Sequence, residues 1–267
     1  MEPGRCGIGG DQVDARLLET RLIAGRQLVF PKRPIAAPSR PLRIMTYNIQ
    51  GHASLINRRH LEEIAQVIRD LRPDIVGLQE VHRGTWQSRF KDQMTELARM
   101  TKMNAHFEKS FEALGGEFGN AVLTRGTILS AEVHTLPGMG EPRTVLDVTT
   151  AIDGRAVRFY VTHLASWNRF NRRSRMEQID CLREIVSRSE VPFVVVGDFN
   201  TGSASPEMLR ILNDQRFSAT PQPPGGTHRL MREKLDYILP DGGWETRGNR
   251  VVFAGPSDHW PVVAELN

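Results

Sequence analysis

Several apolar runs in this 267-residue chain end in side chains that can do chemistry. LRIMTY leads into Asn48, DIVGLQ into Glu80, and RAVRFYVT into His163. PFVVVG leads into Asp198 and, two residues on, Asn200; Asp236 opens DYIL, and Asp258 and His259 precede WPVVAEL. One acidic residue at a strand end usually caps a turn. A whole set of them reads differently. Four carboxylates, Glu80, Asp198, Asp236 and Asp258, cannot converge without a cation or protons between them. Oxygen ligands supported by asparagine suit a hard cation, Mg²⁺ or Mn²⁺. No cysteine or histidine spacing suggests zinc. His163 and His259 can move protons or stabilise developing charge near neutral pH. Together these groups are the equipment for phosphate ester hydrolysis.

The elements that must hold them follow from periodicity. LRIMTYNI alternates as a strand. His60 to Leu71 places Leu61, Ile64, Ala65, Ile68 and Leu71 on one helical face, and Pro73 stops the helix before the buried strand DIVGLQEV. A second helix is expected over 86–100, with Phe90, Met94 and Leu97 inward. NAHFEKS, NAVLTR, ILSAEVHTL and TVLDVTTAI read as strands between Gly- and Pro-containing turns. RAVRFYVTHL closes a hairpin through Asp153-Gly154. Helices are expected over 174–187 and 205–212, flanking the strand PFVVVGDFN, and LDYIL and VVFAGPSDHWPVVAEL supply two more strands. This order lacks the strict alternation of a Rossmann fold or barrel. It predicts an α/β protein with two packed sheets and helices on the outer faces.

Residues 1–41 differ in character. Pro31, Pro34, Pro38 and Pro41 mark an extended linker after a weakly amphipathic stretch. The division is therefore an N-terminal extension over 1–41 and one domain over 42–267. No charged segment followed by an apolar run opens the chain, and no stretch is long enough to span a bilayer, so a cytoplasmic, monomeric protein is expected. Cys6 and Cys181 lie far apart and show neither a metal spacing nor a disulfide framework, and Cys181 reads as a buried structural residue. The net charge of +4 and pI near 9.4 favour an anionic substrate.

In order, TYNIQG, GLQEV, THL, VVVGDFNTG, LDYIL and SDHWPVVAEL resemble the successive motifs of the endonuclease/exonuclease/phosphatase family. The resemblance covers roughly residues 42–267. GDFN followed by SDH near the C-terminus, with QE upstream, carries most of it. It implies a four-layer α/β sandwich with its site at one end of the two sheets. It also implies roles. Asn48, Glu80 and Asp258 resemble the family's metal site, with Glu80 the main ligand. Asp198 and Asn200 match the pair that positions the attacking water and the scissile phosphate. Asp236 resembles the aspartate that orients the last histidine, His259, and His163 matches the other histidine. Either Asp198 or His259 takes the proton from water. No activated Ser or Cys is evident, so no covalent intermediate is expected.

Other features carry less. Arg125 ends a GNA-type strand, as either a substrate contact or a structural residue. Arg143 reads as a surface charge or a phosphate contact, and His228 as a loop residue. The segment WNRFNRRSR interleaves Arg169, Arg172, Arg173 and Arg175 with Trp167 and Phe170, a pattern suited to an anionic and stacking substrate. The expected activity is Mg²⁺-dependent phosphodiester hydrolysis of nucleic acid, as a nuclease or DNA-repair enzyme. Lipid headgroups or inositol phosphates are the alternative substrates. An inactive nucleic-acid-binding module would require a broken motif, and none of the principal positions is substituted.

Overall fold

Two sheets grow outward from a pair of parallel strands each. In the computed structural model, which describes residues 40–218 and 225–267, β1 (Leu42–Asn48) runs parallel to β2 (Ile75–Arg83), with Ile44 opposite Ile75 and Asn48 opposite Gln79. The return passes through α1 (His60–Leu71), whose face of Leu61, Ile64, Ala65 and Ile68 is buried. β3 (Asn104–Ala113), β4 (Gly116–Thr124), β10 (Thr246–Val251) and β11 (Val262–Leu266) complete a six-stranded sheet in the order β10-β11-β1-β2-β4-β3. The second parallel pair is β7 (Arg155–His163) with β8 (Phe193–Asp198), connected through α3 (Arg172–Val186). With β5 (Thr127–Leu136), β6 (Arg143–Ile152) and β9 (Asp236–Pro240) they form a five-stranded sheet in sequence order. Asp153 and Gly154, both at positive φ (48° and 78°), turn β6 into β7 as their sequence predicts.

Three apolar layers bind four layers of structure. Ile44, Val122, Leu146, Phe159, Val161, Val196 and Ile238 fill the space between the sheets. Met45, Tyr47, Ile64, Ile68, Leu78 and Leu97 join the first sheet to α1 and to α2 (Gln93–Thr101). Tyr160, Ile179, Leu182, Val195, Met208 and Tyr237 join the second sheet to α3 and to α4 (Pro206–Leu212). The four-layer sandwich is the expected one. Cys181 is buried on α3; Cys6 and, but for Arg40 and Pro41, the extension and linker expected over 1–41 lie outside the described residues. At Gly77 the sheets approach closely, and an added Cβ would stand 2.4 Å from a methyl of Val196.

Two sequence expectations are corrected. The helix expected over 86–100 begins only after Asp92, whose carboxylate accepts from the backbone N–H groups of Met94 and Thr95, both at 3.0 Å. That cap outcompetes the upstream apolar pattern. Arg89 and Phe90 sit at positive φ, and Phe90 is 69% exposed rather than inward. The C-terminal stretch also holds one strand more than expected. β10 is a polar, partly exposed edge strand, TRGNRV, with no apolar alternation to announce it.

Candidate active site

The registers of three neighbouring strands place His163, Asp198 and Asp236 on one rung. His163 is opposite Asp198 across β7 and β8, and Asp198 is opposite Asp236 across β8 and β9. From the other sheet, the turn before β11 delivers His259. Its Nδ1 lies 2.8 Å from Asp236 Oδ2. Ser257 fixes that turn by donating to the carbonyl of Asn48 at 2.7 Å and accepting from the N–H of His259 at 3.1 Å. Thr227 fixes Asp236, since its hydroxyl accepts from the N–H groups of Leu235 and Asp236. The Nε2 atoms of His163 and His259 each stand 3.6 Å from Asp198 Oδ2. These separations exceed a hydrogen bond, so both imidazole edges face the carboxylate without being consumed by it.

Asn48 ties the two sheets together at this point. Its amide donates to Glu80 Oε1 and to Asp198 Oδ2, each at 3.0 Å. Glu80 sits where the β2–β4 register shifts, in the left-handed region at φ 59°. Gln50 (φ 48°) and Asn200 (φ 51°) share that conformation. Such backbones cost on the order of 1–3 kcal/mol each and cluster where geometry serves chemistry. The N–H of Gln50 donates to Asn48 Oδ1, and its side chain donates to Asp258 Oδ2 at 2.8 Å. Asn200 donates its N–H to Asp198 Oδ1 at 2.8 Å and its amide to the carbonyl of Leu164. Gly51 lets the following 3₁₀ turn lie against Glu80, because a Cβ there would stand 2.3 Å from the Glu80 carbonyl oxygen.

The charges are unevenly shared. Burial pushes Asp198 up to about 7, with His259 opposing and Asp236 reinforcing. Burial acts against the His259 cation, yet Asp236 and Asp198 raise it to about 10. Burial, then the nearby Arg143 cation, holds His163 well below the ordinary imidazole range. Burial disfavours ionised Glu80 as well, but His52, His163 and Asn48 hold it below the usual carboxylate range.

The structure therefore brings together Asn48, Glu80, His163, Asp198, Asn200, Asp236, Asp258 and His259. Arg125 is not among them. It is exposed and donates to the carbonyl of Pro73. It follows Thr124, which pairs with Ile75 at the opposite end of β2 from Glu80. The arginine segment starts directly after His163 at the site end. Arg169 lies over the Phe170 ring, Arg172 faces Glu207 at 3.4 Å, and Arg173 pairs with Glu177. All three are exposed, whereas Arg175 is buried against Glu207 and loop carbonyls. Two residues carry more than their sequence suggests. Arg143 is buried, not a surface charge. His228 is no bystander in its loop: its ring meets that of His259 edge to face at 4.9 Å, and its Nε2 lies 3.9 Å from Asp258. The isolated bridge between His228 and His259 that sets this contact has no local signal.

The family model for the endonuclease/exonuclease/phosphatase family matches residues 45–259. The chain belongs to that family. The endonuclease/exonuclease/phosphatase family comprises metal-dependent phosphoesterases, nucleases and phosphatases among them. Solved structures with the same fold include a member from Beutenbergia cavernae (TM-score 0.69, 23% identity, 85% of this chain and 72% of that one). The catalytic domain of human Nocturnin with a bound sulfate anion is another (0.68, 22%, 87% and 95%). A mannosyl-6-phosphatase of Bacteroides thetaiotaomicron is a third (0.70, 17%, 85% and 99%). No curated protein matches in sequence. The residues at the site fit the divalent metal that the family generally requires. Asp198, Asp236 and His259 hold ligand-type atoms within 4.8 Å of one another. Asn48 links Glu80 to Asp198 of this group, and Gln50 links Asp258 to Asn48. That is an oxygen-rich donor set suited to a hard cation. Among the described residues, no helix is long and apolar enough to cross a membrane.

Proposed function

We propose that the protein is a magnesium-dependent phosphodiester hydrolase acting on nucleic acid. The observation that carries the reading is the rung of His163, Asp198 and Asp236, closed by His259 from the opposite sheet. Glu80, with Asn48 and Asp258, would hold the cation, because the Glu80 and Asp258 side chains keep partial exposure while those of Asp198 and Asp236 are buried. When bound, Mg²⁺ supplies Lewis acidity toward the phosphate oxygens. Asp198, central between two imidazoles, takes the proton of the attacking water at Oδ2. His259, its Nδ1–H directed at Asp236, presents Nε2–H to a non-bridging oxygen as charge develops there. His163 is held neutral and offers a hydrogen bond to the phosphate without adding charge. Asn200 keeps Asp198 in position through its backbone N–H.

The exposed Arg169, Arg172 and Arg173 beside Trp167 and Phe170 favour a polyanion with stackable bases. A second reading, lipid headgroup phosphodiesters, is favoured by the exposed Trp86, Phe90, Leu230, Met231 and Phe253 in loops at the same end. The test is hydrolysis of single- and double-stranded DNA, abasic-site DNA, RNA, sphingomyelin and inositol phosphates, with and without Mg²⁺. Cutting of a nucleic acid that weakens in Arg169→Ser/Arg172→Ser/Arg173→Ser, with a shallower salt dependence, supports the first reading. Turnover of lipid or inositol phosphates alone replaces it with the second.

A further inference from the structure

His52 lies in the 3₁₀ turn Gly51–Leu55, just past the end of β1. The turn is clamped against β2. Gln93 donates to the Gly51 carbonyl at 2.7 Å and to Ser54 Oγ at 2.9 Å, while its own carbonyl oxygen accepts from the N–H of His82. Gly51 itself lies against the Glu80 carbonyl and the His82 ring. This holds His52 beside Glu80, half-exposed, with Nδ1 3.7 Å from Glu80 Oε2. The separation is too long for a hydrogen bond. It falls within the roughly 3–4 Å expected between two atoms that share one cation through bonds of about 2.0–2.2 Å. Glu80 Oε1 accepts from Asn48, so Oε2 is the oxygen turned toward the imidazole. Glu80, against burial, and then Asp258 draw positive charge to His52. Among the described residues, no lysine or arginine pairs with either carboxylate; the imidazoles of His52 and His228 face them instead.

We propose that His52 is a nitrogen ligand of the cation at Glu80, and that the site therefore prefers a first-row transition metal such as Fe²⁺, Co²⁺ or Zn²⁺ to Mg²⁺. The inference rests on the hydrolase reading above, whose metal site supplies Glu80, Asn48 and Asp258. Mg²⁺ favours oxygen ligands and gives up its waters reluctantly, whereas imidazole suits the later metals. Mg²⁺ still fills the site at higher concentration, through the oxygen ligands alone.

The experiment is titration of the full chain with Co²⁺ and, separately, with Mg²⁺ by calorimetry, with proton NMR of the Co²⁺ form. An imidazole bound to Co²⁺ gives its remaining N–H a strongly shifted, exchangeable resonance. Wild-type protein should bind Co²⁺ at least about 100-fold more tightly than Mg²⁺. His52→Ala should lose one shifted resonance and weaken Co²⁺ binding by about 10–100-fold. Mg²⁺ binding should change by about 3-fold or less, and the melting temperature should hold because the side chain is half-exposed. His52→Gln keeps a donor toward Glu80 without the ring nitrogen, so it should resemble His52→Ala. Co²⁺ affinity restored in His52→Gln, or unchanged affinity and resonances in His52→Ala, overturns the proposal. Turnover of bis-p-nitrophenyl phosphate in Mg²⁺ with no His52 resonance in Co²⁺ removes the ligand and leaves the hydrolase reading standing. Co²⁺ held through His52 by protein that turns over no ester contradicts the hydrolase reading alone.

Discussion

Replacing Asp236 by Asn removes one charge from the site and little else. The side chain is fully buried, and an asparagine oxygen can still accept from His259 Nδ1. His259 titrates at about 10 against an ordinary 6.5. A rise of that size corresponds to roughly 5 kcal/mol of preference for the cation, at about 1.4 kcal/mol per pH unit. Asp236 is the largest favourable source, and one opposite charge at this range shifts a neighbour by about 1–3 units. In Asp236→Asn the imidazole should therefore titrate about 1–3 units lower, with burial then opposed by Asp198 and Asp258. The sign for stability follows. A raised folded-state pKa stabilises fully below about 6.5, and the contribution is lost as pH rises through about 10. The variant should lose its share of that stabilisation at the low end and show a narrower window. The assay is an NMR titration of the imidazole carbons in metal-free protein, with turnover measured in Mg²⁺. Turnover should fall by about 100-fold or more, since the His259 donor to developing charge loses the carboxylate that orients it and supports its cation. An unmoved His259 titration would refute the pairing as the source of the raised pKa.

Other perturbations test the scaffold. Gly51→Ala forces a Cβ to within 2.3 Å of the Glu80 carbonyl, so it should cost about 1–3 kcal/mol and displace Glu80, read as lower melting temperature and lost metal affinity. Asp214 is held below the usual carboxylate range first by Arg216, with Arg183 adding to it against burial. Its contribution is present above about 4 and lost as pH falls further, so Asp214→Asn should cost about 1–3 kcal/mol at pH 7 in urea denaturation, with the gap closing in acid. Phe90→Ser should change stability by less than about 0.5 kcal/mol, because Phe90 is exposed. A larger loss would restore it to the inner face of a helix.

The site was legible where polar residues leave buried strands. Asn48, Glu80, His163 and Asp198 each follow a run that can only be a core strand, so their convergence follows from sheet geometry. The sandwich was legible for the same reason, as apolar runs at strand length alternate with two clear helical faces. What escaped depends on contacts distant in sequence. Arg143 stands among surface-like neighbours in GEPRTV, and only packing against the opposite sheet buries it. His228 reaches His259 through a bridge across 31 residues of chain, a contact that no local pattern announces. Arg125 was drawn toward the site by motif position, while the antiparallel register of β4 sends it to the far end. The start of α2 was misplaced because Trp86 and Phe90 fit a helical period that the Asp92 cap cuts short.

The most direct measurement is Mg²⁺-dependent hydrolysis of bis-p-nitrophenyl phosphate by the purified chain, beside Asp198→Ala. Asp198 is the group on which Asn48, His163 and His259 converge. Turnover should vanish on chelation, return with Mg²⁺, and fall by at least about 100-fold in the variant while it stays folded. Turnover that survives in folded Asp198→Ala would contradict the account.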